Sequence, residues 1–168
     1  MTVKFIKVRD VKTPVRGTSV AAGTDFFIPN DFNNGEPFML RPQHDILIKS
    51  GIRASLPGGT MWMAADKSGV ATSKTAMQLA GNEPKESNPI SSLKVGAKIV
   101  DEDYQGEIGL HVINVGLHPV WLQPGQKFVQ FVLVPVIYPE LIECETVEEV
   151  FTEETERGEG GFGSTGIE

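Results

Sequence analysis

The sequence predicts an all-β domain, a sandwich or jelly roll, and three observations carry that prediction. Apolar and polar residues alternate in several short runs, the period-2 signature of a half-buried strand. Eighteen glycines and eleven prolines punctuate those runs, as expected where many strands meet at tight turns. No segment carries a sustained helical stripe, so the crossover helices of a βαβ design are missing.

Taken in order, the strand candidates are residues 3–9, 45–49, 60–65, 107–114 and 127–136. Thr146-Val147-Glu148-Glu149 reads as a capping box opening one short helical turn. Two segments break the pattern. Residues 72–92 form a long polar stretch with turn signals at Asn82-Glu83-Pro84 and Asn88-Pro89, and a loop of that length is either functional or a tolerated insertion. Residues 155–168 hold five glycines and too little apolar mass to pack alone. The expected organisation is a core over 1–151, interrupted by the 72–92 loop, followed by a mobile glycine-rich arm over 152–168.

Composition narrows the function classes. A chain of 168 residues with 40% hydrophobic content can bury a real core. No apolar run approaches the roughly 20 residues a membrane helix needs, so no membrane partner is expected. The basic residues near the N-terminus are not followed by an apolar h-region, which argues against a secretory signal. One cysteine, Cys144, excludes an intramolecular disulfide framework and points to the cytoplasm. A net charge of −7 argues against coating nucleic acid, yet leaves room for a free nucleotide, which needs only a few local cations and oriented N–H groups.

Several pieces can carry phosphate or acid–base chemistry. The run Arg157-Gly158-Glu159-Gly160-Gly161-Phe162-Gly163-Ser164-Thr165-Gly166 can curl its N–H groups around an anion, with Arg157 as a planar fork and Phe162 free to stack on a base. The alternative is an unstructured glycine-rich end. Asp101 follows the apolar pair Ile99-Val100 at a strand end, where a carboxylate can act as general base for water; the bland reading is an ordinary acidic hairpin turn. Lys67, Ser68 and the Gly69 amide suit phosphate oxygens, or else make a plain polar turn. Asp25 either orients a hydrated metal ion or bonds its own turn. Gln130 is the polar intruder in an otherwise buried strand that follows Pro124-Gly125.

The order of these pieces resembles the five-motif pattern of the trimeric dUTPase family. Asp25 stands in a match to the first motif, residues 66–69 to the second, 96–107 to the third, 125–131 to the fourth and 157–166 to the fifth. The third and fifth are the specific ones, and the resemblance spans nearly the whole chain apart from 72–92. It implies a jelly-roll subunit in a homotrimer with active sites at the subunit interfaces, hydrolysing dUTP to dUMP and pyrophosphate. It also implies a hairpin from about Lys98 to His111 that holds uracil through main-chain groups, with Gly109 allowing close approach and Tyr104 packing under the deoxyribose. Asp101 matches the carboxylate that activates the attacking water, and Ser68 the serine near the α–β bridging oxygen. Lys67, Ser68 and Gly69 fall in a phosphate-binding motif, and Gln130 of the fourth motif is implied as a further substrate-binding residue. Arg157, Phe162, Gly163, Ser164 and Thr165 match the arm that closes over the substrate. Mg2+ is implied as cofactor, held mainly by the triphosphate, with Asp25 touching its water shell.

Departures from the pattern fall at Lys67, where arginine is usual, at Lys98, where a small residue is usual, and at Gln126-Lys127, where an acid and arginine are usual. Lysine keeps the charge and loses the bidentate fork. The 72–92 segment is the largest departure, and its position between two binding motifs makes it a candidate lid or protein-partner element. Two other functions compete. A dCTP deaminase relative would need an acid in the stretch 108–114, and none is there. A nucleotide-responsive binding module would leave the joint presence of Asp101, Tyr104, Ser68, Arg157 and Phe162 unexplained.

Overall fold

A computed structural model describes residues 1–71 and 93–160; the 72–92 segment and residues 161–168 lie outside the described residues. The chain divides into two compact units, Met1–Ile137 and Tyr138–Glu168. The expected boundary at 151/152 lies inside the second unit.

The first unit is antiparallel throughout. Its strands are β1 (Lys4–Lys7), β2 (Val15–Arg16), β3 (Gly23–Phe27), β4 (Phe38–Leu40), β5 (Asp45–Lys49), β6 (Ile52–Ser55), β7 (Thr60–Asp66), β8 (Leu93–Val95), β9 (Ile99–Val100), β10 (Gly109–Asn114), β11 (Val120–Leu122) and β12 (Lys127–Pro135). A five-stranded sheet runs β2-β3-β12-β7-β9 and a three-stranded one β5-β10-β8, with two further strand pairs, β1-β6 and β11-β4. This is the expected jelly-roll class.

The core follows from alternation. Along β10, Leu110, Val112 and Asn114 are buried while Gly109, His111 and Ile113 face outward. The rings of Phe26, Trp62 and Phe131 pack together, with Phe26–Trp62 edge-on at 5.4 Å and Phe26–Phe131 at 4.7 Å. Asn114 is buried without cost because every polar atom is used. Its amide donates to the carbonyls of Leu40 (3.1 Å) and His118 (2.8 Å), and its oxygen accepts from Gly116 N–H at 3.0 Å.

Two sequence expectations need correction. Residues 99–100 and 109–114 do not form the two arms of one hairpin: β9 pairs with β7 (Trp62 opposite Val100), whereas β10 pairs with β5 and β8. The 101–108 turn therefore bridges two sheets. Ile99 is 54% exposed despite its apolar side chain. Alternation in β1 also fails to bury a face, since all four of its residues are exposed. A β-bulge between Lys127 and Val129 puts Phe128 and Val129 both inward, so Lys127 and Gln130 share the opposite side of β12.

The second unit holds one helical turn, α2 (Val147–Val150), of the same length as α1 (Ser68–Ala71) in the first unit. Half of the expected capping box is present: Glu149 N–H donates to Thr146 Oγ1 at 3.3 Å, while the Glu149 carboxylate reaches past the cap residue and accepts from Glu145 N–H at 3.0 Å. Among the described residues no helix is long and apolar enough to cross a membrane.

Candidate active site

The sequence-nominated residues gather in two groups. The first lines a cleft of about 210 Å³ that includes Lys98, Asp101, Tyr104 and Gly109, together with Leu47 and Ala97. The cleft exists because the 101–108 turn is pinned on both flanks. On one flank, Glu102 accepts from the N–H groups of Gly59 and Thr60 at the start of β7. On the other, Arg53 donates to the Gln105 carbonyl at 2.6 Å, and Glu107 accepts from Gly51 N–H at 2.7 Å. Within the turn Tyr104 N–H donates to the Asp101 carbonyl, and the Tyr104 hydroxyl donates to the Glu107 carbonyl at 3.1 Å. The ring lies so close over Gly106 that a Cβ there would meet the hydroxyl oxygen at 2.4 Å. Asp101 is exposed, and its carboxylate makes no hydrogen bond among the described residues.

The opposite edge of the cleft is the segment 96–98. The Lys98 carbonyl accepts from Ala64 N–H at 2.6 Å, and Gly96 N–H donates to the His111 carbonyl at 3.0 Å. Ala97 N–H donates to His111 Nδ1 at 2.8 Å, and the same ring meets Asp45 through Nε2 at 2.9 Å. That contact holds the Asp45 carboxyl below the usual carboxylate range. His111 is the residue the sequence reading missed. Its outward position in an apolar strand was the available signal. Gly109, opposite Lys49 in the β5–β10 register, leaves room that a Cβ would take from Leu47 at 2.6 Å.

The second group sits where β3, β12 and β7 run side by side, with Asp25 opposite Gln130 and Gln130 opposite Ala65. Asp25 is 4% exposed. Its carboxylate carries two ammonium groups, Lys67 at 3.1 Å and Lys127 at 3.2 Å. Gln130 donates to the Asp66 carbonyl at 2.8 Å and fills the space beside Gly23, where a Cβ would lie 2.2 Å from its oxygen. Asp66 in turn accepts from Val95 N–H at 2.7 Å and pairs with Lys94 at 3.0 Å. Ser68 opens α1 with its side chain exposed, and Gly69 follows it. Lys127 stands in the match to the fourth motif without an assigned role, because the bulge that turns it toward Asp25 has no sequence signature.

Of the arm, only its first part is described. Arg157 donates through Nε to the Gly160 carbonyl at 2.8 Å, and Gly158 N–H donates to the Thr155 carbonyl at 3.0 Å in consecutive tight turns. Gly158 adopts φ +49°, a conformation glycine takes at no steric cost. Phe162, Gly163, Ser164 and Thr165 lie outside the described residues.

A jelly-roll chain that carries both a polar-edged cleft and a buried carboxylate holding two lysines has the makings of a nucleotide-binding protein. The comparisons give the particular family. The dUTPase family model matches residues 9–166. The deoxyuridine 5'-triphosphate nucleotidohydrolase of Mus musculus is 30% identical, over 98% of this chain and 85% of its own. The dUTPase of Staphylococcus bacteriophage 80alpha, solved with dUPNHPP, superposes with a TM-score of 0.73 at 23% identity, covering 99% of both chains. A variant of the dUTPase from phage phi11 of S. aureus, described with a structural Mg(II) ion, gives 0.66 at 21% identity, covering 88% of this chain and 99% of its own. The chain belongs to the dUTPase family.

Proposed function

We propose that this protein hydrolyses dUTP to dUMP and pyrophosphate. The observation that carries the proposal is the cleft itself. A polar-edged slot of about 210 Å³ ends at an exposed carboxylate, Asp101, with Tyr104 as the ring beside it. Uracil offers one donor between two acceptors, a pattern that main-chain groups of the 97–98 edge and the neighbouring turn can read and that cytosine reverses in part.

In this reading Asp101 orients a water and takes its proton as the oxygen attacks the α-phosphorus; the bond to the α–β bridging oxygen breaks and pyrophosphate leaves. Ser68 donates to the developing charge on that leaving oxygen, with Gly69 beside it. Lys67 holds phosphate oxygens as a point charge. In the unliganded chain that ammonium rests on Asp25, so the triphosphate must exchange one anionic partner for another. Gln130 acts indirectly, tethering the end of β7 through the Asp66 carbonyl. Tyr104 packs under the deoxyribose and leaves no room for a 2′-hydroxyl. Arg157 grips the terminal phosphates, while Phe162, Gly163, Ser164 and Thr165 close over the base.

A Mg2+ brought by the triphosphate would neutralise phosphate charge, and Asp25 would contact its water shell once Lys67 and Lys127 turn to the phosphates. Membership of the dUTPase family favours a homotrimer with active sites at the subunit interfaces. We place the enzyme in the cytoplasm. Pyrophosphate release measured in parallel with dUTP, dCTP, dTTP and UTP tests the proposal. Selective turnover of dUTP is expected; ammonia release from dCTP, or no turnover of dUTP with magnesium present, overturns it.

A further inference from the structure

The 96–98 edge of the cleft hangs on three hydrogen bonds of unequal kind. Two are main chain to main chain, Gly96 N–H to the His111 carbonyl and Ala64 N–H to the Lys98 carbonyl. The third is Ala97 N–H to His111 Nδ1 at 2.8 Å, and it depends on a proton. An amide can donate only to a ring nitrogen that keeps its lone pair, so the imidazole proton must sit on Nε2, where it donates to Asp45 at 2.9 Å. Gly96 is what lets the ring seat there, since a Cβ would come 2.2 Å from Nδ1.

We propose that His111 is a positioning residue for base binding: as the neutral Nε2–H tautomer fixed by Asp45, it holds the Ala97 amide and so the shape of the cleft edge. The inference rests on the reading that this cleft takes the uracil of dUTP. Protonation of Nδ1 turns the acceptor into a donor facing a donor, and the edge loses its side-chain anchor. The charged groups on the elements packed around the ring are Asp45 and Lys49 of β5, His44 beside them, Lys94 of β8 (paired with Asp66), and Lys98 on the cleft edge. Protonation of the ring on acidification therefore weakens base binding rather than the chemical step.

Two variants separate this from a merely structural role. In His111→Asn the side-chain oxygen can accept from Ala97 N–H and does not titrate; in His111→Leu no acceptor remains. With KM and kcat for dUTP followed from about pH 5.5 to about pH 8.5, the leucine variant should show a KM raised about fivefold, the worth of one ordinary hydrogen bond, with kcat little changed. The asparagine variant should recover most of that loss, and the rise in KM on the acid side should vanish. A leucine variant with the wild-type KM, or an asparagine variant that keeps the acid-side rise, overturns the proposal. Imidazole 15N shifts of the unliganded protein at neutral pH give a readout independent of turnover: Nε2–H is expected, and Nδ1–H overturns the proposal. If no nucleotide is hydrolysed although the tautomer is Nε2–H, the dUTPase reading fails instead. The brace is then read from hydrogen exchange of the Ala97 amide. Protection lost in His111→Leu and restored in His111→Asn supports it; equal protection in all three proteins overturns it.

Discussion

Asp25→Asn tests how the two lysines of the proposed phosphate site are held. Asp25 is the one buried ionisable residue among the described residues, and Lys67 and Lys127 approach it at 3.1 and 3.2 Å. Asparagine keeps the volume and removes the charge, leaving two neighbouring ammonium groups with no counter-ion. Breaking a fully buried pair costs about 3–5 kcal/mol. Here the lysine side chains are 29% and 43% exposed and can turn to water, which lowers the expectation to about 2 kcal/mol. With a urea slope of about 2 kcal/mol/M, the unfolding midpoint should fall by about 1 M, measured at one fixed subunit concentration because assembly contributes to stability. The freed ammonium groups should at the same time bind pyrophosphate more tightly in calorimetry without magnesium, by about tenfold if one unit of opposing charge is removed at this range. An unchanged midpoint, or weaker pyrophosphate binding, would refute the idea that Asp25 neutralises this pair.

The remaining expectations are briefer. Asp101→Asn should lower kcat about a thousandfold with dUTP binding largely kept, and normal turnover by the variant would show Asp101 to be misassigned. Truncation after Glu156 should abolish most activity without moving the melting temperature of the unliganded protein, because the removed residues carry little apolar mass; a marked loss of thermal stability contradicts that. Gly106→Ala should displace the Tyr104 ring, since the new Cβ would sit 2.4 Å from its hydroxyl oxygen, and should raise KM for dUTP more than it lowers kcat. Discrimination against UTP is the sensitive readout. Finally, the His111 hydrogen bond lowers the Asp45 pKa, so its stabilisation is full above the ordinary carboxylate value and is lost as pH falls through the lowered one. Melting curves of wild type and Asp45→Asn should therefore converge in acid and separate toward neutral pH; a constant difference across that range would contradict the assignment.

The long, strongly patterned strands were legible in the sequence because alternation and burial coincide there. Asp45–Lys49 is found as read, and 60–65 and 127–136 differ from β7 and β12 by one residue at one end. Strands of two or three residues such as β2, β9 and β11 carry no period long enough to detect. Pairing was less legible than strand existence. Ile99-Val100 and the strand after the acidic turn look like hairpin arms, yet they are claimed by different sheets through long-range partners. The residue types at the site were visible from motif order, and their contacts were not. Nothing local announces that Asp25 will be shared by two lysines, because that depends on a bulge in β12 and on the β3–β12–β7 register. His111 was visible as an outward histidine, but its role depends on a glycine in another strand's loop, which only the fold brings beside it.

In the proposed mechanism, water activated by Asp101 attacks the α-phosphorus of dUTP. Hydrolysis in 18O-labelled water, read by phosphorus NMR or mass spectrometry, addresses it directly. The account predicts that the label enters dUMP and that the Asp101→Asn variant loses this incorporation. Label found in pyrophosphate, or no cleavage of dUTP at all, would contradict it.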